Sequence, residues 1–421
     1  MAPLSILDQD LYKFCMQQAV LEHYPDADAE YGLVTYHPAM RFSSAAFERL
    51  QRGIAGLARV RATAEELEYL GSACPRLSAA YIAFLAGYRF NPAAEVACSL
   101  DEPSGALRLT IAGKWLQTIL YEVPVLALVT EAYFGAVDTD WSHCGQHERA
   151  AAKARRLVAA GCRFAELGTR RRRDFETQDA VVAALARVSA PPRELGPGRF
   201  VGTSNAYLAR KHGVPLVGAI GHEWIMGVAA LEGTYAGAAL AALQKWLATF
   251  GGGPEAPPTD TFGTEPFLAA LGADLAAQLC GLAHDSGDPH AFVEAVSARL
   301  RRLGVDPSTK TAVFTDGITP DAAAGIKAHC DRHSLGCVFG MGTHLTNDFP
   351  RASDPAQPSI PPSLSVKLRR CGGRPCIKLG DDPAKSTGCP AELARARLEL
   401  LGGRAGPARI ATAQSPPALG M

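Results

Sequence analysis

Val201–Met226 reads VGTSNAYLARKHGVPLVGAIGHEWIM, and the order of its parts points to an α/β fold. Thr203 and Ser204 sit in a short loop, a helix-like segment follows and stops at Gly213, and an apolar, β-branched run from Val214 to Ile220 leads into Gly-His-Glu-Trp. That run predicts a buried strand, which puts His222 just past a strand end. Parallel α/β folds gather their reactive groups at such ends. His222 is therefore a candidate nucleophile or general base; the competing reading is a structural histidine hydrogen-bonded at the strand end.

Outward from this stretch, a rhythm of helix, short apolar strand and loop recurs. Helices are predicted over Arg149–Ala160, Gln178–Val188, Ala236–Phe250 and Ala291–Leu303. Strands are predicted over Cys162–Leu167, near Gln278–Leu282, and over Thr311–Thr315 and Leu335–Phe339. Such alternation favours a parallel sheet, closed or open, with functional loops at the C-terminal strand ends. No Gly-x-Gly-x-x-Gly follows a first strand, so a barrel is favoured over a dinucleotide fold. The first third is mixed: a helix over Asp8–Glu22, strands at Val34–Tyr36 and Leu107–Ile111, a helix over Ala62–Leu70, and a buried helix over Trp115–Phe134 with a kink or stop at Pro124. After Pro361, LSVKLRRCGGRPCIKL reads as two antiparallel strands turning at Gly372-Gly373. Cys371 and Cys376 flank that turn, and with no second pair nearby, cross-strand neighbours are favoured over a zinc site. The expected organisation is an N-terminal α/β domain over 1–140 joined by the hairpin region 362–400, a site-bearing α/β unit over 141–361, a surface loop at Gly251–Pro258, and a disordered tail over 402–421.

Lys plus Arg equals Asp plus Glu at 42 each in 421 residues, so there is no global electrostatic case for nucleic acid or an anionic membrane. Any anion must be held locally. The longest apolar runs, such as Ile119–Thr130, are interrupted by Glu122 and Pro124 and fall short of the roughly 20 residues that span a bilayer. MAPLSILDQDLYKF has no charged-then-apolar leader, and the expected location is the cytoplasm. Eleven cysteines without close repeated spacing argue for free thiols.

Three further groups carry chemistry. Gly340-Met341-Gly342-Thr343 follows a strand, where glycines let backbone N–H groups converge on a phosphate; the plainer reading is a turn. Arg170 opens a four-arginine run just past a strand end and is placed to clamp a phosphate, with the rest of the run on a solvated face. Asp260, Asp285 and Asp316 occupy comparable strand-end positions, where carboxylates bind Mg²⁺ or orient an imidazole.

DLYKFCMQQ, FAELGTRRRR, VGTSNAYLARKHGVPLVGAIGHEW, DTFGTEPFL, HDSGDP, VFTDG, FGMGTHLTND and KLGDDPAKSTG together resemble the nicotinate phosphoribosyltransferases in order and spacing, from about Leu7 to Gly388. The resemblance implies an N-terminal α/β, sandwich-like domain and an irregular α/β barrel of the type II phosphoribosyltransferase kind, as a homodimer. It implies ATP-assisted joining of nicotinate to phosphoribosyl pyrophosphate, with Mg²⁺ accompanying the phosphates. By position, His222 would be the phosphorylated histidine, Asp260 and Asp285 the acids that orient it, Arg170 and Ser204 substrate contacts, and Asp316 the ribose holder. The Gly340, Gly342 and Thr343 loop would take the 5′-phosphate, and Tyr12 would stack on the pyridine from across the dimer interface.

This chain also departs from the pattern. Ala283 stands where an arginine is expected to pair with the nicotinate carboxylate, Ala219 replaces a threonine of the pyridine site, Gln9 replaces a threonine, and Lys114 a proline. A lost charge-assisted contact costs a few kcal/mol. Two alternatives therefore stand beside the nicotinate enzyme: the same fold acting on a neutral pyridine base, and a catalytically silent homologue with a regulatory or heterodimer role.

Overall fold

The computed structural model describes residues 4–36, 40–189, 198–218, 220–252 and 255–402, and its strands form two five-stranded sheets. The chain first lays down β1 (Asp28–Thr35), β2 (Val96–Asp101) and β3 (Ala106–Lys114). Next come β4 (Arg163–Glu166), β5 (Arg199–Thr203), β6 (Gly281–His284), β7 (Thr311–Phe314) and β8 (Gly336–Met341). Finally β9 (Leu364–Cys371) and the short β10 (Arg374–Pro375) return to the beginning.

The first sheet has the order β10-β9-β1-β3-β2 with antiparallel pairing throughout. The second, β5-β4-β8-β7-β6, is wholly parallel, and helices supply its crossovers. Local sequence sets the helix ends. Asn205 caps the helix Ala206–His212, which stops at Gly213 with φ 62°, and Asp288 caps Pro289–Arg302. In the core that includes the antiparallel sheet, Trp115 and Trp224 stack with centroids 5.9 Å apart, and Trp246 packs edge-on against Trp224.

The expectations around Val214 and Pro124 need correction. The expected strand over Val214–Ile220 is absent among its described residues: apart from the Leu216 bridge to Thr203, Val214–Gly218 is irregular and half-exposed. Pro215 offers no N–H to a ladder, and Gly218 has φ 124°. His222 instead opens the helix His222–Glu232. Over Trp115–Ala136 the break falls at the 3₁₀ turn Ile119–Tyr121, and Pro124 lies in the first turn of Glu122–Ala136, where a helix needs no donor. That 22-residue stretch is long and apolar enough to span a membrane by composition, contrary to the sequence reading, but 67% of its apolar window is buried inside the protein, as in a core helix.

β2 was not expected, and neither was the C-terminal helix Pro390–Gly402. The Gly251–Pro258 segment is not simply a surface loop: Glu255 is fully buried and Pro258 bridges Ala283, although Gly253 and Pro254 lie outside the described residues. The tail expectation also falls outside them, beyond Gly402.

Candidate active site

The parallel sheet carries the site at both its edges and its C-terminal ends. Leu216 extends the β5 edge by one bridge, and Pro258 extends the β6 edge by another. The residues just beyond these bridges meet, because His222 Nδ1 is 2.9 Å from Thr261 Oγ1. On the other side of the ring, Nε2 is 3.0 Å from Asp285 Oδ2 and 3.7 Å from Asp260 Oδ1. Lys378 closes the group, with Nζ 3.0 Å from the same Nε2, 2.9 Å from Asp260 Oδ2 and 3.1 Å from Asp285 Oδ2.

Each member is oriented by a neighbour. Ser286 Oγ donates to Asp260 Oδ2 at 2.5 Å, and Thr315 Oγ1 donates to Asp285 Oδ1 at 3.0 Å. Lys385 Nζ donates to the Asp285 carbonyl at 2.9 Å and pairs with Asp316. Burial, seconded by the Lys378 ammonium, holds the His222 imidazole below its ordinary pKa, so the ring is neutral at neutral pH. Burial opposes the Asp285 carboxylate, but the His222 hydrogen bond and the charges around it outweigh that and keep Asp285 well below the usual range. His222 is thus a neutral, buried ring with acids on one nitrogen and a hydroxyl on the other.

A second group begins where Tyr12 packs against the loop before His222; a Cβ on Gly221 would lie 3.2 Å from the Tyr12 ring. Tyr12 donates to Glu122 Oε2 at 3.1 Å, and the Arg170 guanidinium lies 5.3 Å from its ring centroid. Arg170 donates to Glu122 Oε1 at 3.0 Å and stands 3.7 Å from Asp10, which accepts from Ser204 at 2.8 Å. Lys13 is fully buried between Glu122 and Glu223. Burial alone would raise Glu122, but Lys13 and Arg170 bring it down to about 2. Lys367, on β9 between the two groups, has its ammonium pushed down to about 8 by burial and by Lys378.

The glycines of the Gly340 loop are there for close approach: a Cβ on Gly340 would meet Leu167 at 2.3 Å, and one on Gly342 would meet the Leu167 carbonyl at 3.0 Å. Gly342 precedes the one-turn helix Thr343–Thr346. The arginine run faces inward more than the sequence suggested. Arg172 is bound by Asp8 and Glu131, and Arg173 lies over the Phe134 and Phe349 rings. Cys371 and Cys376 belong to no metal-ligating cluster among the described residues.

Residues 162–402 match the nicotinate phosphoribosyltransferase family and residues 7–130 match that family's N-terminal domain. The chain belongs to the nicotinate phosphoribosyltransferase family. It is 40% identical to a Schizosaccharomyces pombe protein named "probable nicotinate phosphoribosyltransferase", over 95% of this chain and 98% of the relative. It is 38% identical to the nicotinate phosphoribosyltransferase of Methanosarcina mazei, over 91% of this chain and 95% of the relative. The crystal structure of nicotinate phosphoribosyltransferase from Porphyromonas gingivalis superposes with a TM-score of 0.87 at 32% identity, covering 94% of this chain and 99% of that one.

As a nicotinate phosphoribosyltransferase relative, the chain places its expected residues in three ways. His222, Asp260 and Asp285 form one cluster, with Asp316 joined to it through Lys385. Ser204 acts through Asp10 on Arg170. Tyr12 packs against the loop before His222 within its own chain. Ala283 is 8% exposed inside β6, while Ala219 lies outside the described residues. Sequence reasoning gave no role to Lys378, Lys385, Thr261 or Lys367; the only signal for the first two was their presence in KLGDDPAKSTG.

Proposed function

We propose that this chain joins nicotinate to phosphoribosyl pyrophosphate, forming nicotinate mononucleotide and pyrophosphate, with ATP hydrolysis assisting through phosphorylation of His222. The observation that carries this reading is the neutral His222 ring held between Thr261 and the pair Asp285 and Lys378. A neutral imidazole has a lone pair for the γ-phosphoryl group, and Asp285 stabilises the positive charge that the ring gains on accepting it. Lys378 and Lys385 are placed to neutralise phosphate oxygens as the C1′–O bond to pyrophosphate breaks and the pyridine nitrogen bonds to C1′. Tyr12 and Arg170 form the wall against which the pyridine lies. The Gly340 loop, at the end of β8, receives the 5′-phosphate.

Mg²⁺ fits this donor set. Asp260 Oδ1 is buried without a hydrogen-bond partner, and Asp316 adds a second carboxylate at the strand ends. Bound there with the substrate phosphates, the ion would neutralise the leaving pyrophosphate. The protein is read as a cytoplasmic homodimer; the eleven cysteines, all free, support a reducing compartment.

The test is product chromatography with phosphoribosyl pyrophosphate, Mg²⁺ and either nicotinate or nicotinamide, with and without ATP. ATP-stimulated nicotinate mononucleotide formation supports the reading. Turnover of nicotinamide alone would transfer it to a neutral base, and no product with either would leave a silent homologue.

A further inference from the structure

Far along the chain from His222, the helices Pro289–Arg302 and Pro320–Arg332 bring imidazoles and a carboxylate to one point. His290 and Glu294 are four residues apart on the first helix, and His329 and His333 are four apart at the end of the second, so each pair shares a helix face. One ligand atom from each of Glu294, His329 and His333 lies within 4.8 Å of the other two. The His333 ring lies 4.8 Å from that of His329, and the His290 ring packs edge-on against His329 at 4.6 Å.

His329 carries the argument. It is only 9% exposed, and its Nε2 is buried with no hydrogen-bond partner. Glu294 Oε1 stands 3.4 Å from that nitrogen without completing a hydrogen bond. Burying an imidazole nitrogen unpaired is costly unless something pairs it. On the other side of the ring, Arg332 Nη2 lies 2.8 Å from Nδ1. Arginine only donates, so Nδ1 holds the lone pair and the proton sits on Nε2, aimed at Glu294.

We propose that Glu294, His329 and His333 form a site for zinc, or a chemically similar late divalent transition ion, with the fourth position open to water. Two imidazoles and a carboxylate suit such an ion, whereas Mg²⁺ and Ca²⁺ select oxygen donors. Zinc bonds of about 2.0–2.1 Å put tetrahedral ligand atoms about 3.4 Å apart. Glu294 is 60% exposed and His333 lies at the helix end, so both side chains are free to close that remaining gap. When the metal takes Nε2, the ring proton moves to Nδ1 and the exposed Arg332 side chain swings away; His329 releases no proton overall. The ion then staples together the two helices that follow β6 and β7, the strands whose ends carry Asp285 and Asp316. The cluster of His222, Asp260 and Asp285 does not offer zinc the same donors, because the Lys378 ammonium already contacts its imidazole nitrogen.

The test is a zinc titration of the chelator-stripped full chain against a chromophoric competitor, with Mg²⁺ as control and cobalt as a spectroscopic probe of tetrahedral coordination. One zinc ion bound at micromolar affinity or tighter, with a rise in Tm, is expected. Glu294→Gln and His333→Ala, both away from the core, should each weaken binding by at least about ten- to a hundredfold. Arg332→Ala should tighten it, since a competing donor is gone, and His222→Ala should leave it unchanged. Binding that survives Glu294→Gln and His333→Ala, binding that disappears in His222→Ala, or no binding in the micromolar range would each overturn the proposal. Circular dichroism of each variant separates lost binding from lost folding.

Discussion

Lys378 Nζ lies 3.0 Å from His222 Nε2 while also contacting both Asp260 and Asp285, so one buried ammonium sets the charge state of the ring and of the two acids beside it. Lys378→Met removes the cation that helps depress His222 and leaves two carboxylates facing the ring. The imidazole pKa then rises. If the neutral ring accepts the phosphoryl group as proposed, the acid limb of the ATP-coupled rate is expected below the ordinary histidine value in the wild-type protein and at higher pH in the variant. Breaking the buried pair with Asp260 also destabilises the fold by about 3–5 kcal/mol, read in urea unfolding.

Arg170 is held by Glu122 and Asp10 against the Tyr12 ring. Arg170→Ala is expected to lower kcat/KM by on the order of a hundredfold, and Arg170→Lys to recover little, because a lysine lacks the planar fork. Tyr12→Phe keeps the ring and loses only the bond to Glu122, an effect of about tenfold or less. Steady-state kinetics with nicotinate distinguishes these outcomes; a rescue by lysine would contradict a role that needs the planar guanidinium.

Arg171 is half-buried, its guanidinium makes no hydrogen bond or ion pair among the described residues, and burial and Arg170 hold it below its ordinary pKa. With Ala283 in place of the expected arginine, it is the free guanidinium nearest the pyridine wall along the chain. Arg171→Ala should raise the KM for nicotinate by on the order of tenfold or more and leave that for nicotinamide unmoved. Equal effects on both bases would remove Arg171 from carboxylate recognition.

Burial and Lys378 push the Lys367 ammonium down to about 8, so a neutral fraction is present near that pH in the free protein. A bound polyanion favours its ammonium form. Calorimetry of phosphoribosyl pyrophosphate binding at pH 8 in buffers of different ionisation enthalpy should therefore show proton uptake, reduced in Lys367→Met. Proton release, or none, would place Lys367 away from the phosphates.

How much of this was legible depended on how local the cause is. The helix ending at Gly213 and the parallel strands β4, β6, β7 and β8 follow from apolar periodicity and from capping residues within a few positions, and they were readable; β5, whose end was taken for a loop, was not. The strand over Val214–Ile220 was misread because its apolar run hid Pro215 and Gly218, whose backbones do not sustain a ladder. Arg172 and Arg173 looked solvated because their partners, Asp8, Glu131 and the Phe134 and Phe349 rings, are distant in sequence. Lys378 was beyond local reasoning for the same reason. It arrives at His222 only after β9 pairs with β1 and the turn beyond β10 carries the chain back across the parallel sheet, where Leu379 N–H donates to the Thr261 carbonyl.

The central claim, that His222 accepts phosphate from ATP, is tested most directly by incubating the protein with ATP labelled on the γ-phosphate and assaying protein-bound phosphate for acid lability and alkali stability. One acid-labile, alkali-stable phosphate per chain, absent in His222→Ala and discharged when nicotinate and phosphoribosyl pyrophosphate are added, is the expected result. Full ATP-stimulated nicotinate mononucleotide formation by His222→Ala, with no label on the wild-type chain, would contradict it.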